Sequence, residues 1–135
     1  MNCKTIVLTA RLASLARNPL PVVLDRLGIR KAPYRLRLRN GLVLELRPGR
    51  GDQDTFREIW LAGDYTSQGQ RLRRGETVMD VGANIGCFTL YAAHRVGPEG
   101  RVIAIEPETE TFLQLRRNIA LSGLGNVVAR QTAVA

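Results

Sequence analysis

The sequence predicts an α/β fold: an incomplete parallel sheet, preceded by N-terminal helices and a β-hairpin. Three observations predict it. From Glu76 onward, strand, turn and helix patterns alternate twice and end on a third strand. One of the turns, Asp80-Val81-Gly82-Ala83-Asn84-Ile85-Gly86, sets two glycines around a three-residue loop where a strand passes into a helix. Upstream, two runs of alternating apolar and polar residues flank Asn40-Gly41. Strands and helices alternating at this spacing imply parallel strands joined by right-handed crossovers.

The elements follow in order. Residues 4–17 repeat apolar side chains at helical spacing, with Arg11 and Arg17 on the other side, and Pro19 and Pro21 are expected to end that helix. A second short helix is expected over 21–28, closed by Gly28. Tyr34, Leu36 and Leu38 alternate with Arg35, Arg37 and Arg39. After Asn40-Gly41, Leu42, Leu44 and Leu46 alternate with Val43, Glu45 and Arg47. That pattern predicts a hairpin with a type I′ turn, its arginine face in water and Glu45 pairing across the strands. Asp52 or Asp54 is expected to cap a short helix running to Leu61. Beyond it lie strands at 77–81, 101–105 and 127–132 and helices at 84–95 and 108–121. The chain thus divides into a helical segment (1–33), a hairpin and helix entry region (34–75) and a ligand-binding half-domain (76–135).

Composition narrows the function classes. A chain of 135 residues suits one domain with at most a small appendage. No apolar run is long enough to span a membrane, and the stretch Thr5–Ala10 after Lys4 is too short for a signal peptide, so a cytoplasmic location is expected. Cys3, Cys87 and the single His94 have no metal-ligand spacing, so no metal is expected. Cys87 reads as a packing residue and His94 as a surface one. The net charge of +8 is unevenly placed. Residues 1–50 hold eleven Lys and Arg against Asp25 and Glu45, a balance of +9, whereas residues 51–135 hold nine against ten, a balance of −1. Such an excess can attract nucleic acid. Tyr34 is the only aromatic side chain in the basic region, however, and binding to single strands needs stacking rings.

The glycine turn carries the chemistry. Ligands of open α/β sheets bind outside the carboxyl ends of the strands. The helix start offers free N–H groups and a partial positive charge. A dinucleotide fingerprint is G-x-G-x-x-G. This turn has Asn84 at the place of the middle glycine, which is the residue that admits a pyrophosphate. Asp80, two residues before Gly82, would repel a phosphate but suits a cationic ammonium group. S-adenosylmethionine (SAM) offers an ammonium, a sulfonium, a carboxylate and a ribose diol. Glu106 ends the next strand, 20 residues after Gly86, where an acid accepts hydrogen bonds from ribose hydroxyls. NAD folds share that acid, so NAD stays open as the alternative.

Three segments carry a resemblance: Asp80-Val81-Gly82-Ala83-Asn84-Ile85-Gly86-Cys87-Phe88-Thr89, Val102-Ile103-Ala104-Ile105-Glu106-Pro107 and Asn118-Ile119-Ala120-Leu121. Together with Asn40-Gly41, Leu46-Arg47, Asp52, Phe56-Arg57-Glu58-Ile59 and Tyr65, they resemble the FkbM family of SAM-dependent methyltransferases over about residues 34–135. The resemblance implies a Rossmann-like class I methyltransferase fold. It also implies methyl transfer to a hydroxyl of a sugar or secondary metabolite, with a small-molecule acceptor rather than nucleic acid. Asp80, Gly82 and Gly86 would shape the methionine end of the site, with Ala83 among the cofactor contacts. Asn84 and Thr89 would add hydrogen bonds, Glu106 would hold the ribose, Pro107 would fix the backbone beside it and Ala133 or Val134 would lie near adenine. Tyr65 would close over the methionine part or pack in the core.

The family's fold has seven strands, of which this sequence supplies the first three. The expectation is therefore a cofactor-binding fragment with no assigned catalytic base, an open apolar edge on its first parallel strand, marginal stability and no turnover of its own. Two other readings remain: a non-catalytic SAM-binding remnant, and a nucleic-acid methyltransferase.

Overall fold

The computed structural model describes residues 3–61 and 71–134. Helices α1 (Cys3–Leu15) and α2 (Leu20–Arg26) lead into an antiparallel hairpin of β1 (Tyr34–Arg37) and β2 (Val43–Leu46). A short helix α3 (Asp52–Phe56) continues into one wider π-type turn at Arg57–Leu61. The parallel sheet then follows as β3 (Thr77–Val81), α4 (Cys87–Val96), β4 (Arg101–Ile105), α5 (Thr109–Leu121) and β5 (Val127–Arg130). Its strand order is β3-β4-β5, in register Thr77 with Arg101 and Val102 with Val127.

The hairpin shows how an alternating pattern becomes a core. Tyr34, Leu36, Leu38, Leu42, Leu44 and Leu46 are all buried. Each buried leucine is worth roughly 1.5–3 kcal/mol relative to exposure. They join Leu12, Ala16 and Val22 from the N-terminal segment, Phe56, Ile59 and Leu61, and Ile85, Cys87, Leu90 and Tyr91 from the parallel half in one apolar cluster. The turn differs from the type I′ expectation. Leu38 N donates to Leu42 O at 2.8 Å and Gly41 N to Leu38 O at 3.1 Å, so three residues form the loop. Gly41 has φ +95° while Asn40 stays at negative φ, whereas a type I′ turn needs both central residues left-handed.

Both edges of the hairpin are covered. On the β1 side the chain leaves α1 at Leu15 and runs extended: Arg17 N donates to Arg37 O and Arg39 N to Leu15 O, each at 2.8 Å. The amide of Asn18 extends this pairing to Arg35 O and Arg37 N. Pro19 and Pro21 therefore do not stop α1 directly. They sit at the start of α2, where fixed φ and a missing N–H are tolerated. On the β2 side, a side chain of α5 and one at its C-cap stand in for a strand. Asn118 Oδ1 accepts from Glu45 N at 2.8 Å, and Ser122 Oγ accepts from Val43 N at 3.0 Å while donating to Val43 O at 2.9 Å. The spacings match: four residues along a helix rise about 6 Å, and two along a strand about 6.6 Å.

The helix predicted over 52–61 also differs. Gly51, in the left-handed region at φ +78°, precedes α3, and neither Asp52 nor Asp54 acts as its cap. Instead Asp52 is 1% exposed and takes both Arg47 Nε (2.9 Å) and Nη2 (3.1 Å), plus the Arg47 backbone N–H at 2.9 Å. This paired acid fastens the loop after β2 to α3. In the parallel half, α4 covers Val78 and Val102 through Ala92, Ala93 and Val96, and α5 covers Ala104 through Phe112 and Leu115. Among the described strands β3 is an edge, and Met79 (61%) and Val81 (57%) are exposed beside it. No helix of the described residues is long and apolar enough to cross a membrane.

Candidate functional site

The site gathers at the carboxyl ends of β3 and β4. Strand β3 delivers Asp80 at its penultimate position, and the chain then turns through Val81 to Gly86. Gly82 N and Ala83 N both donate to Ile105 O at 2.9 Å, which ties the turn to the end of β4. Asn84 follows in the left-handed region at φ +54°, the only non-glycine residue at positive φ among those described. A polar residue with a short side chain tolerates that conformation best after glycine. Gly86 N donates to Ala83 O at 3.0 Å and closes the loop.

Helix α4 begins at Cys87, three residues later than the pattern predicts, because Gly86 at φ +99° is its N-cap and cannot be its first turn. The two glycines differ in kind. A Cβ at Gly82 would meet nothing within 4 Å, so this residue opens on free space. A Cβ at Gly86 would lie 2.8 Å from Leu115 Cδ1 and 3.4 Å from Leu90 Cδ1, so this residue permits close packing of α5.

The two acids are both buried, each 8% exposed. Thr89 Oγ1, on the first turn of α4, donates to Asp80 Oδ2 at 2.5 Å. Burial raises the Asp80 carboxyl above its ordinary range. The Thr89 hydrogen bond opposes this, and the Glu106 charge adds to it. Glu106 Oε2 accepts from Asn84 N at 2.9 Å and Oε1 from Glu108 N at 3.1 Å. Each oxygen keeps accepting capacity beyond that one backbone donor. Glu108 caps α5 by accepting from Glu110 N and Thr111 N, at 3.0 and 2.7 Å, and these bonds hold its carboxyl below the usual range.

The structure places the remaining sequence-predicted residues as follows. Ala83 is buried in the turn, and Pro107 is exposed directly after Glu106. Ala133 is exposed beyond β5. Tyr65 lies outside the described residues. Cys87 is buried, and burial pushes its thiol far up, which fits packing. His94 is exposed. No group of His, Cys, Asp and Glu among the described residues could hold a metal ion.

Asn118 lies in one of the three segments that carry the resemblance, and its position in the structure gives it a task that the sequence does not show. It is fully buried, and its Nδ2 donates to Ile85 O at 2.8 Å while Oδ1 receives Glu45 N. One amide therefore joins the glycine turn to the hairpin. The signal lay in α5 itself: Phe112 and Leu115 mark a buried face at three-residue spacing, and the next position on it is polar.

Comparison with known proteins agrees with this geometry. The profile of the methyltransferase FkbM domain matches residues 80–134. The chain is 42% identical over 83 residues to 31-O-demethyl-FK506 methyltransferase FkbM of Streptomyces tacrolimicus, covering 62% of this chain and 32% of that one. It thus spans about a third of that relative's length. It is 39% identical over 56 residues to an arsenite methyltransferase of Halobacterium salinarum, 42% of this chain and 14% of the other. Among solved structures it resembles a SAM-dependent methyltransferase from Aquifex aeolicus, with TM-score 0.50, 27% identity and 58% of this chain against 41% of that one. It also resembles a SAM-dependent O-methyltransferase from Thermotoga maritima, with TM-score 0.50, 18% identity and 79% against 43%. The architecture is thus the expected Rossmann-like methyltransferase fold, with an incomplete parallel sheet among the described strands. Residues 80–134 are thus similar to the methyltransferase FkbM domain, on a fold shared with SAM-dependent methyltransferases.

Proposed function

We propose that this chain supplies the SAM-binding half of a methyltransferase that methylates a hydroxyl oxygen on a small molecule. The observation that carries the cofactor reading is the pair of buried acids, Asp80 and Glu106, on either side of a glycine turn tied to the end of β4. The residues present fit SAM. Gly82 opens on free space, Glu106 retains capacity for a ribose diol, and Asp80 sits where an ammonium would find a buried carboxylate. When bound, SAM supplies an electrophilic methyl group on sulfur. The chain's own residues then bind and orient. Thr89 holds the Asp80 carboxyl, Asn84 N and Glu108 N hold Glu106, and Asn118 holds the turn through Ile85 O. Gly82, Ala83, Asn84 and Gly86 shape the methionine end. Pro107 would fix the backbone beside Glu106, and Ala133 would lie near the adenine. Methyl transfer depends on in-line approach to the sulfonium, so orientation is the main contribution of such a half-site.

An oxygen acceptor on a small molecule is favoured by the Streptomyces relative, whose name specifies a 31-O position. The basic face of the hairpin has another explanation than nucleic acid: Arg35 and Arg117 pair with Glu45, and Arg39 donates to Ala13 O. Parallel calorimetric titrations with SAM and NAD test the cofactor reading. Saturable binding of SAM and none of NAD is expected, and the reverse would overturn it. Transfer of label from methyl-labelled SAM into an alkali-stable product tests the hydroxyl acceptor. An alkali-labile product would point to a carboxylate instead.

A further inference from the structure

We infer that the outer face of α2, with the turn that follows it, docks peripherally and reversibly on an anionic lipid surface. Leu27, Leu20 and Ile29 are the three most exposed large apolar side chains among the described residues, at 66%, 63% and 63%. A singly exposed leucine needs no explanation, whereas a cluster marks an interaction site. The backbone brings these three together. Val22 is buried and Asp25 Oδ2 accepts from Tyr34 Oη at 2.7 Å, so these two positions define the inner side of α2. At about 100° per residue, Leu20 and Leu27 point within about 20° of each other on the opposite side, with Leu24 near them. The helix then closes with two backbone bonds, Gly28 N to Asp25 O and Ile29 N to Leu24 O, each at 2.9 Å, and with Gly28 left-handed at φ +71°. Such a closure folds the second residue beyond the cap back toward the last turn, which returns Ile29 to the side of Leu24.

Charge selects the occupant. Residues 17–31 hold Arg17, Arg26, Arg30 and Lys31 against a single acid, Asp25, which is bonded inward to Tyr34. Arg17, Arg26 and Lys31 are exposed and form no ion pair among the described residues. The core of a protein interface favours aromatic anchors and sheds charge. This stretch has no aromatic residue, and cations flank its apolar stripe. That combination suits the boundary between headgroups and acyl chains of an anionic bilayer, where leucines insert and each Lys or Arg adds attraction. Nucleic acid would use the cations and leave the leucines in water. Helix α2 has seven residues, against the about 20 that a span requires, so it lies on the surface rather than across it. The patch shares no residue with the cofactor half-site, and the inference stands independently of the methyltransferase reading.

The test is flotation of the full chain on a density gradient with two kinds of vesicle, phosphatidylcholine alone and phosphatidylcholine mixed with phosphatidylserine. Aggregated protein sinks, so only vesicle-bound chain is counted. The expected result is flotation with the mixed vesicles and none with phosphatidylcholine alone. Leu20→Ser combined with Leu27→Ser should weaken partition at least about tenfold, the effect of withdrawing two partly inserted leucines. Arg26→Gln combined with Lys31→Gln should weaken it roughly twentyfold, at about fivefold for each charge near the surface. Leu113→Ser, at a comparable exposure of 56% on α5, should leave it unchanged. Circular dichroism checks that each variant is folded. No flotation with the mixed vesicles, equal flotation with both kinds, or a leucine pair that behaves as Leu113→Ser does would each overturn the proposal. Retention of single-stranded RNA in place of vesicles would overturn it in favour of nucleic acid.

Discussion

Replacing Asn118 by alanine tests how the glycine turn is held. Asn118 is 0% exposed, and its amide joins three elements: it receives Glu45 N at 2.8 Å, donates to Ile85 O at 2.8 Å and reaches Glu45 O at 3.4 Å. Alanine removes all of these and leaves a backbone N–H of β2 and a carbonyl of the turn without partners. Each orphaned buried group costs about 1–3 kcal/mol, so the loss should be about 3 kcal/mol, reduced if water reaches Glu45 N. Ser122→Ala removes the neighbouring pair to Val43, on a half-buried site, and should cost about 1 kcal/mol. Urea denaturation gives the stability change, and hydrogen exchange at the Glu45 amide gives its location. The reasoning fails if Asn118→Ala costs less than about 0.5 kcal/mol, the range of neutral surface changes, or if Glu45 N–H stays as protected as before.

Three further predictions follow from the same geometry. Gly82→Ala and Gly86→Ala both force alanine into a left-handed conformation, at about 1–2 kcal/mol each. Gly86→Ala also presses on Leu115 and should show the larger fall in melting temperature. Gly82→Ala points into open space and should show the larger fall in SAM affinity. Asp80 is raised above its ordinary value of 3.8, so the folded state holds its proton more tightly than the unfolded chain. Its contribution to stability is present at low pH and lost as pH rises past 3.8 and through the raised value. Thermal scans across pH should therefore show Asp80→Asn more stable than the parent above that window, and SAM should reverse the difference. Finally, Arg47→Ala leaves Asp52 buried and unpaired, and should cost about 3–5 kcal/mol in urea denaturation. The double replacement Arg47→Leu with Asp52→Leu should recover much of it.

The parts legible in the sequence were those fixed by local pattern. The three parallel strands read directly because short apolar runs follow the glycine turns at Gly75, Gly100 and Gly125 and alternate with helical patterns, and the hairpin face read because leucines recurred at every second position. Asp80 and Glu106 were legible because strand ends in α/β sheets have a known place. Local pattern could not show what the hairpin edges needed. Asn18, Asn118 and Ser122 each satisfy backbone groups more than fifteen residues away in sequence, as in the pairing of Ser122 with Val43. Asp52 resembled a helix cap because caps and buried ion-pair acids share the same residue type. Its partner Arg47 became decisive only once the loop had folded back. Thr89 was expected to add a hydrogen bond at the site. The structure shows its Oγ1 bonded to Asp80.

The central claim is that Asp80, Glu106 and the turn between them form one cofactor half-site. Calorimetric titration of SAM into the parent chain, Asp80→Asn and Glu106→Gln tests it most directly. Both replacements keep size and remove charge. The account predicts one saturable site in the parent and affinity at least about tenfold weaker in each variant, the effect of losing one charge-assisted hydrogen bond. Unchanged SAM affinity in both variants, with their folds intact by circular dichroism, would contradict it.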